Sequence, residues 1–287
     1  MTRRGAQRIM VWTFNEGVGR SRRDELAVEE PLEVRLRAGA AQRSLAITMR
    51  TPGNDFELAA GFLFSEGLIA DRHDVAQIAY CVDPQVDGEQ RYNIVQVVLR
   101  REELPDLTTF TRHFTMGSAC GVCGRAGLDT LRGRGCAPLA SGPLIRPEVI
   151  TALPRRLQDA QGLFSRTGGL HAAALFDPEG ALLVSREDIG RHNALDKLIG
   201  WALLAGRVPL AGGVLMVSGR ASYEIVQKAL VAGIPIVCAV SAPSSLAVQV
   251  AREFGMTLIG FVRGARFNVY AGVERVGLPA STSRPDA

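Results

Sequence analysis

The chain has 287 residues, of which 47% are hydrophobic, enough for a substantial core in one large or two modest domains, and this excludes a disordered or fibrous protein. Lys+Arg 33 against Asp+Glu 29 gives a net charge of +4 and a pI near 9.0. That mild excess favours anionic partners without specifying a nucleic-acid binder. The longest apolar stretch, residues 229–240, is broken by Gly233 and Pro235 and falls short of the roughly 20 residues a membrane span needs. The opening arginines, Arg3, Arg4 and Arg8, precede no apolar core or small-residue cleavage site, so no secretory signal is expected. Five cysteines, an odd number, then imply reduced thiols in the cytoplasm rather than a disulfide framework.

Residues 1–24 read as a basic, mobile segment. From 25 to 101 the pattern is that of a small α+β subdomain. Leu32, Val34 and Leu36 alternate with charged residues, Ala38-Gly39-Ala40 turns the chain, and residues 44–49 return as the second arm of a hairpin. Asp55 is positioned to cap a helix over residues 56–66, closed by Gly67. Strands follow at 75–80 and 92–99.

Residues 102–143 are rich in glycine, proline, arginine and polar residues, with only a helical turn suggested at 127–131, and are expected to form a long, exposed, mobile loop. Such a length is functional more often than structural. Near its centre stands Gly117-Ser118-Ala119-Cys120-Gly121-Val122-Cys123-Gly124.

The remainder, 144–274, reads as an α/β domain, followed by a frayed tail at 275–287. Pro147 suits the first turn of a helix to about residue 161, with a possible break at Pro154. Residues 170–176 and 181–185 flank Asp177-Pro178-Glu179-Gly180 as a hairpin, and Ala194, Leu195, Leu198, Ile199, Ala202 and Leu203 recur at helical spacing. Apolar strands at 214–217, 234–240 and 258–262 alternate with amphipathic helices at 223–231 and 245–254, which specifies a parallel βαβαβ unit with helices on its faces.

Parallel strands end on a common edge, where open α/β sheets bind ligands. The residues there are Ser218-Gly219-Arg220, Ser241-Ala242-Pro243-Ser244 and Arg263-Gly264-Ala265-Arg266. Helix N-termini, glycines that permit close approach and three arginines together suggest an anion crevice, more suited to phosphate than to carboxylate. The plainer alternative is that Ser222 and Ser244 only cap their helices.

Cys120 and Cys123 admit three readings. With His113 and Cys136 they would supply four zinc ligands, stapling a chaperone or binding module. A thioredoxin-like redox pair is disfavoured because the motif does not follow a first strand and open a helix. Nucleophilic thiol chemistry is favoured by Arg112, Arg125, Arg132 and Arg134 nearby, since cationic surroundings stabilise the thiolate. A zinc deaminase is disfavoured, because Ala119 precedes the first cysteine and His171-Ala172-Ala173 lacks the required glutamate. His171 reads as a structural histidine, and His192 with Asp196 as an ordinary i,i+4 surface pair ahead of a catalytic one.

Four segments taken together, Gly117 to Gly124 as quoted above, Thr167-Gly168-Gly169-Leu170-His171-Ala172-Ala173, Glu187-Asp188-Ile189-Gly190-Arg191-His192-Asn193-Ala194-Leu195-Asp196-Lys197 and Gly260-Phe261-Val262-Arg263-Gly264-Ala265-Arg266, resemble the FdhD family over roughly residues 25–272. The resemblance implies a cytidine-deaminase-like α/β core and a cytoplasmic, homodimeric sulfurtransferase. In that reading sulfur passes from a cysteine desulfurase, through a persulfide on Cys120 assisted by Cys123, to a molybdenum or tungsten bis-guanine-dinucleotide cofactor destined for formate dehydrogenase. It further implies that Phe261, Val262, Arg263, Gly264, Ala265 and Arg266 bind that cofactor, with a guanine nucleotide as its mimic, joined by Ser218, Gly219 and Arg220 of the crevice. No permanently bound metal, nucleic acid or membrane partner is expected.

Overall fold

The computed structural model describes residues 5–88, 90–107, 124–139 and 142–277. Its chain divides into two compact units, one comprising Met1–Gly121, Gln161–Ala172 and Arg186–Gly206, the other Val122–Ala160, Ala173–Ser185 and Arg207–Ala287. The linear division expected at residues 101 and 143 is therefore not the observed one. Two helical segments from the second half belong to the first unit.

In the first unit, the segment expected to lack regular structure forms a hairpin, β1 (Ala6–Asn15) and β2 (Val18–Ala27). Glu16 and Gly17 both take positive φ at its tip, the backbone that a two-residue hairpin turn requires. A four-stranded sheet follows, in the order β4 (Ala41–Arg50), β3 (Glu30–Ala38), β6 (Ile94–Leu99), β5 (Val75–Tyr80), with β3 and β6 parallel. The alternation of Leu32, Val34 and Leu36 does what period two requires, since all three are buried.

Helix α1 (Asp55–Ser65) begins at Asn54, not at a capping Asp55. The Asp55 carboxylate is instead occupied by Arg50, whose Nε and Nη2 donate to its two oxygens at 3.1 and 2.9 Å, both side chains being buried. This two-pronged pairing fixes the turn from β4 into α1. Helix α1 crosses a later helix, α5 (Arg191–Leu204), with backbones in contact. A Cβ on Gly61 would lie 1.9 Å from the Asp196 carbonyl oxygen, and one on Gly200 1.8 Å from that of Glu57. These two glycines are why residues 186–206 pack with the first hundred.

In the second unit, α2 (Gly124–Gly133) extends the turn expected at 127–131, and α3 (Pro147–Ala160) continues through Pro154. The short α4 (Phe164–Thr167) belongs to the first unit. The chain passes between units within β7 (His171–Phe176) and again within β8 (Leu182–Asp188). The sheet of the second unit runs β12 (Arg266–Ala271), β11 (Thr257–Arg263), β10 (Ile236–Ala239), β9 (Val214–Val217), β7, β8.

The three strands β9, β10 and β11 are parallel and linked by α6 (Tyr223–Val231) and α7 (Ser245–Glu253), as the apolar pattern requires. Every residue of β9 and β10 is buried, so both faces of the sheet centre are covered. Antiparallel neighbours flank this triplet: β7 beside β9, and β12 beside β11. Arg275 and Val276, expected to belong to the tail, are buried, and Val276 bridges to Ile145; residues 278–287 lie outside the described residues. Among the described residues no helix is long and apolar enough to cross a membrane.

Candidate functional site

The strand-end segments of the second unit do meet. Ala221 forms a parallel bridge with Pro243, its amide donating to the Ala242 carbonyl at 3.2 Å while the Ser244 amide donates back to Ala221 at 3.0 Å. The Phe261 amide donates to the Ser241 carbonyl at 3.2 Å, and Arg263 Nε donates to the Val240 carbonyl at 3.1 Å. Residues 218–221, 240–244 and 260–266 thus form one continuous edge.

The third segment, Arg263-Gly264-Ala265-Arg266, is the turn of the antiparallel β11–β12 hairpin, with Arg263 opposite Arg266 and Gly264 at φ 57. Paired residues on adjacent strands project to the same face, so the two guanidinium groups are placed together. Neither Arg220 nor Arg266 has an ion-pair partner among the described residues, and both are exposed. Adjacent like charges without carboxylates to neutralise them favour an anionic ligand.

Phe261, already among the candidate residues, has a backbone that the sequence hid. Its φ of 53 is rare for a bulky side chain, and it sits where the β11–β12 register shifts between Gly260 and Arg263. The bulge holds the half-exposed ring 5.9 Å from the Arg263 guanidinium, within cation–π range. Backbone strain of this kind concentrates at ligand clamps. The run Arg266-Phe267-Asn268-Val269-Tyr270-Ala271, with its alternating apolar residues, was the available sign of β12.

Of the two candidate caps, Ser244 does accept the Ala247 amide at 3.2 Å, so one amide of the α7 N-terminus is satisfied from within the chain. Ser222 occupies the corresponding position of α6 without a side-chain cap bond. The positive charge of this edge therefore lies on Arg220, Arg263 and Arg266, and the capped α7 adds least to it.

Cys120, Cys123 and His113 lie outside the described residues. Cys136 is half-buried, and burial pushes its thiol up, opposed by Arg134. Cys238 is wholly buried in β10 and pushed up to about 12 by desolvation, as befits an inert core thiol.

In the first unit, the long motif from Glu187 to Lys197 is a structural staple. Asp188 accepts the Gly190 amide at 2.9 Å and Asn193 Nδ2 at 3.0 Å on one oxygen, and the Thr51 amide at 3.1 Å on the other. Lys197 Nζ stands 2.7 Å from that second oxygen and donates to the Thr51 carbonyl at 2.8 Å. Glu187 accepts the amides of Leu163 and Phe164 at 3.0 and 2.7 Å, holding the start of α4. Asp196 is buried and accepts from Ser65 Oγ at 3.0 Å, which corrects its reading as a surface partner of His192. His171 is held below its ordinary range by burial first, then by Arg191 and His192, with Asp188 opposing.

An α/β protein with a cationic strand-end edge, a strained aromatic bulge and a Cys-x-x-Cys segment is the class these residues define. Comparison with known proteins gives the family. The FdhD/NarQ family model matches residues 27–277, and the chain belongs to that family. It is 51% identical over 284 residues to the sulfur carrier protein FdhD of Streptomyces coelicolor, covering 98% of this chain and 99% of that one. Against the protein of that name from Mycobacterium tuberculosis it is 49% identical over 260 residues, with 89% and 93% covered. A solved structure assigned as a formate dehydrogenase accessory protein, from Desulfotalea psychrophila, superposes with a TM-score of 0.71 at 26% identity, covering 94% of this chain and 99% of that one.

Proposed function

We propose that this chain is a sulfur carrier with sulfurtransferase activity, taking sulfur on Cys120 from a cysteine desulfurase and passing it to a molybdenum or tungsten bis-guanine-dinucleotide cofactor before that cofactor enters formate dehydrogenase. The observation that carries the reading is the pairing, in a chain of this family, of a Cys-x-x-Cys segment with an arginine-rich edge suited to nucleotide phosphates.

In the first step the Cys120 thiolate attacks the terminal sulfur of the donor's persulfide. One S–S bond forms, one breaks, and the donor leaves as a thiolate. In the second, Cys123 attacks the inner sulfur of the Cys120 persulfide. The terminal sulfur departs as sulfide, gaining the two electrons that the two thiols lose in forming a Cys120–Cys123 disulfide, and a thiol reductant restores the pair. The cofactor is substrate here; Arg263, Arg266 and Arg220 hold its phosphates, and Phe261 offers a face for the guanine. The working form is a cytoplasmic homodimer.

Titration of the full chain with guanosine diphosphate tests the binding half. Arg263→Ala and Arg266→Ala should each weaken binding by roughly tenfold, the scale of a lost charge-assisted bond. Affinities equal to that of the unaltered chain would remove the edge from the proposal.

A further inference from the structure

The face that carries the Arg263–Arg266 pair continues along the β11–β12 hairpin. Residues two apart on a strand project to one side, so Arg266, Asn268 and Tyr270 form a row on β12. Gly260 stands opposite Asn268 as Arg263 stands opposite Arg266, and the bulge at Phe261 lies between the two pairs. With the Phe261 ring held 5.9 Å from the Arg263 guanidinium, ring, carboxamide and arginines adjoin one stretch of surface.

Gly260 has no side chain, and its neighbours use the space. A Cβ there would lie 3.0 Å from the Tyr270 ring, 3.0 Å from Pro243 and 3.2 Å from the Ser241 carbonyl oxygen. The half-buried Tyr270 ring is thus packed against the Gly260 backbone, which fixes its hydroxyl. That hydroxyl accepts from Asn268 Nδ2 at 3.5 Å. The contact keeps the amide nitrogen on the Tyr270 side. Oδ1 and the second N–H of the exposed Asn268 have no protein partner among the described residues.

Phosphate presents acceptors only, and the arginines answer it. A carboxamide offers a donor and an acceptor side by side, so its complement is a group that offers the reverse. Guanine does so at its six-position, with O6 accepting beside N1–H donating. Adenine inverts the order, N6–H donating beside an N1 that accepts. An amide whose nitrogen is held on one side therefore tells the two purines apart in a common pose. One two-residue step, roughly 6–7 Å, separates Asn268 from Arg266 along the strand, a spacing comparable to that which ribose puts between base and phosphate. We infer that Asn268 reads the guanine edge of the nucleotide at this hairpin, Nδ2 donating to O6 and Oδ1 accepting from N1–H, with Tyr270 positioning the carboxamide. The inference rests on the sulfur-carrier reading, in which a guanine dinucleotide cofactor occupies this edge, and it names the residue that distinguishes that cofactor from an adenine nucleotide.

The test titrates the full chain, Asn268→Ala and Tyr270→Phe with guanosine diphosphate, adenosine diphosphate and inorganic diphosphate. The unaltered chain should bind the guanine nucleotide roughly tenfold more tightly than the adenine nucleotide, the scale of one good two-bond base contact. Asn268→Ala should lose that preference while binding inorganic diphosphate as the unaltered chain does. Tyr270→Phe keeps the ring on Gly260 and should reduce the preference, again with inorganic diphosphate binding unchanged. A merely structural role for either residue would weaken all three ligands together, and that result overturns the inference. So does a guanine preference that survives in Asn268→Ala, or equal affinity of the unaltered chain for the two nucleotides. Failure of the unaltered chain to bind any of the three ligands instead overturns the edge as a nucleotide site, and the inference falls with it.

Discussion

Lys197 Nζ stands 2.7 Å from Asp188 Oδ2 with both side chains buried, and the pair closes a network that reaches Thr51, Gly190 and Asn193. Removing one ion leaves the other buried and unpaired. Lys197→Met is expected to cost about 3–5 kcal/mol in urea unfolding, and the Asp188→Asn/Lys197→Met double variant less than the sum of its parts. Additive costs would show that the two charges do not act together.

The crossing of α1 and α5 permits no side chain at Gly200 or Gly61. Gly200→Ala forces the two backbones apart and should destabilise by about 1–3 kcal/mol or more, despite the better helix propensity of alanine. Thermal unfolding reads this directly, and an unchanged or raised midpoint would mean that the helices can separate at no cost.

His171 makes stability depend on pH. Its folded-state pKa lies below 6.5, with burial the main cause, so the unfolded chain takes up the proton first as pH falls. The stability it contributes is present above pH 6.5 and is lost as pH falls through the folded value. Urea midpoints at about pH 8 and about pH 5.5 should differ more for the unaltered chain than for His171→Gln. Equal differences would assign the dependence to other groups.

Phe261 keeps a positive φ that only glycine adopts freely. Phe261→Gly should release about 1–3 kcal/mol of strain, offset by the flexibility of glycine and the lost Arg263 contact, leaving stability near neutral. Guanine nucleotide binding should nevertheless weaken. A strongly destabilised variant would show that the ring serves packing, with no clamp to form.

Much of this was readable in the sequence. Apolar runs of four to seven residues, separated by amphipathic stretches, specified β9 to β11 and their connecting helices because fully buried parallel strands tolerate little else. The arginine-rich edge followed from that topology. What the sequence concealed depended on contacts between distant residues. Gly61 and Gly200 look like weak points in helices until their partners are known. Asp55 looks like a cap, yet Arg50 engages its carboxylate. The ribbon of residues 6–27 was masked by its arginines, since charge suggested a solvated segment while Met10, Trp12 and Phe14 carried a period of two.

The central claim concerns Cys120, and mass spectrometry of its peptide after incubation with a cysteine desulfurase and cysteine tests it most directly. The account predicts a gain of about 32 Da, one sulfur atom, on the Cys120 peptide, removable by reductant and absent from Cys120→Ala. An unmodified Cys120 peptide beside a donor shown to carry its persulfide would contradict it.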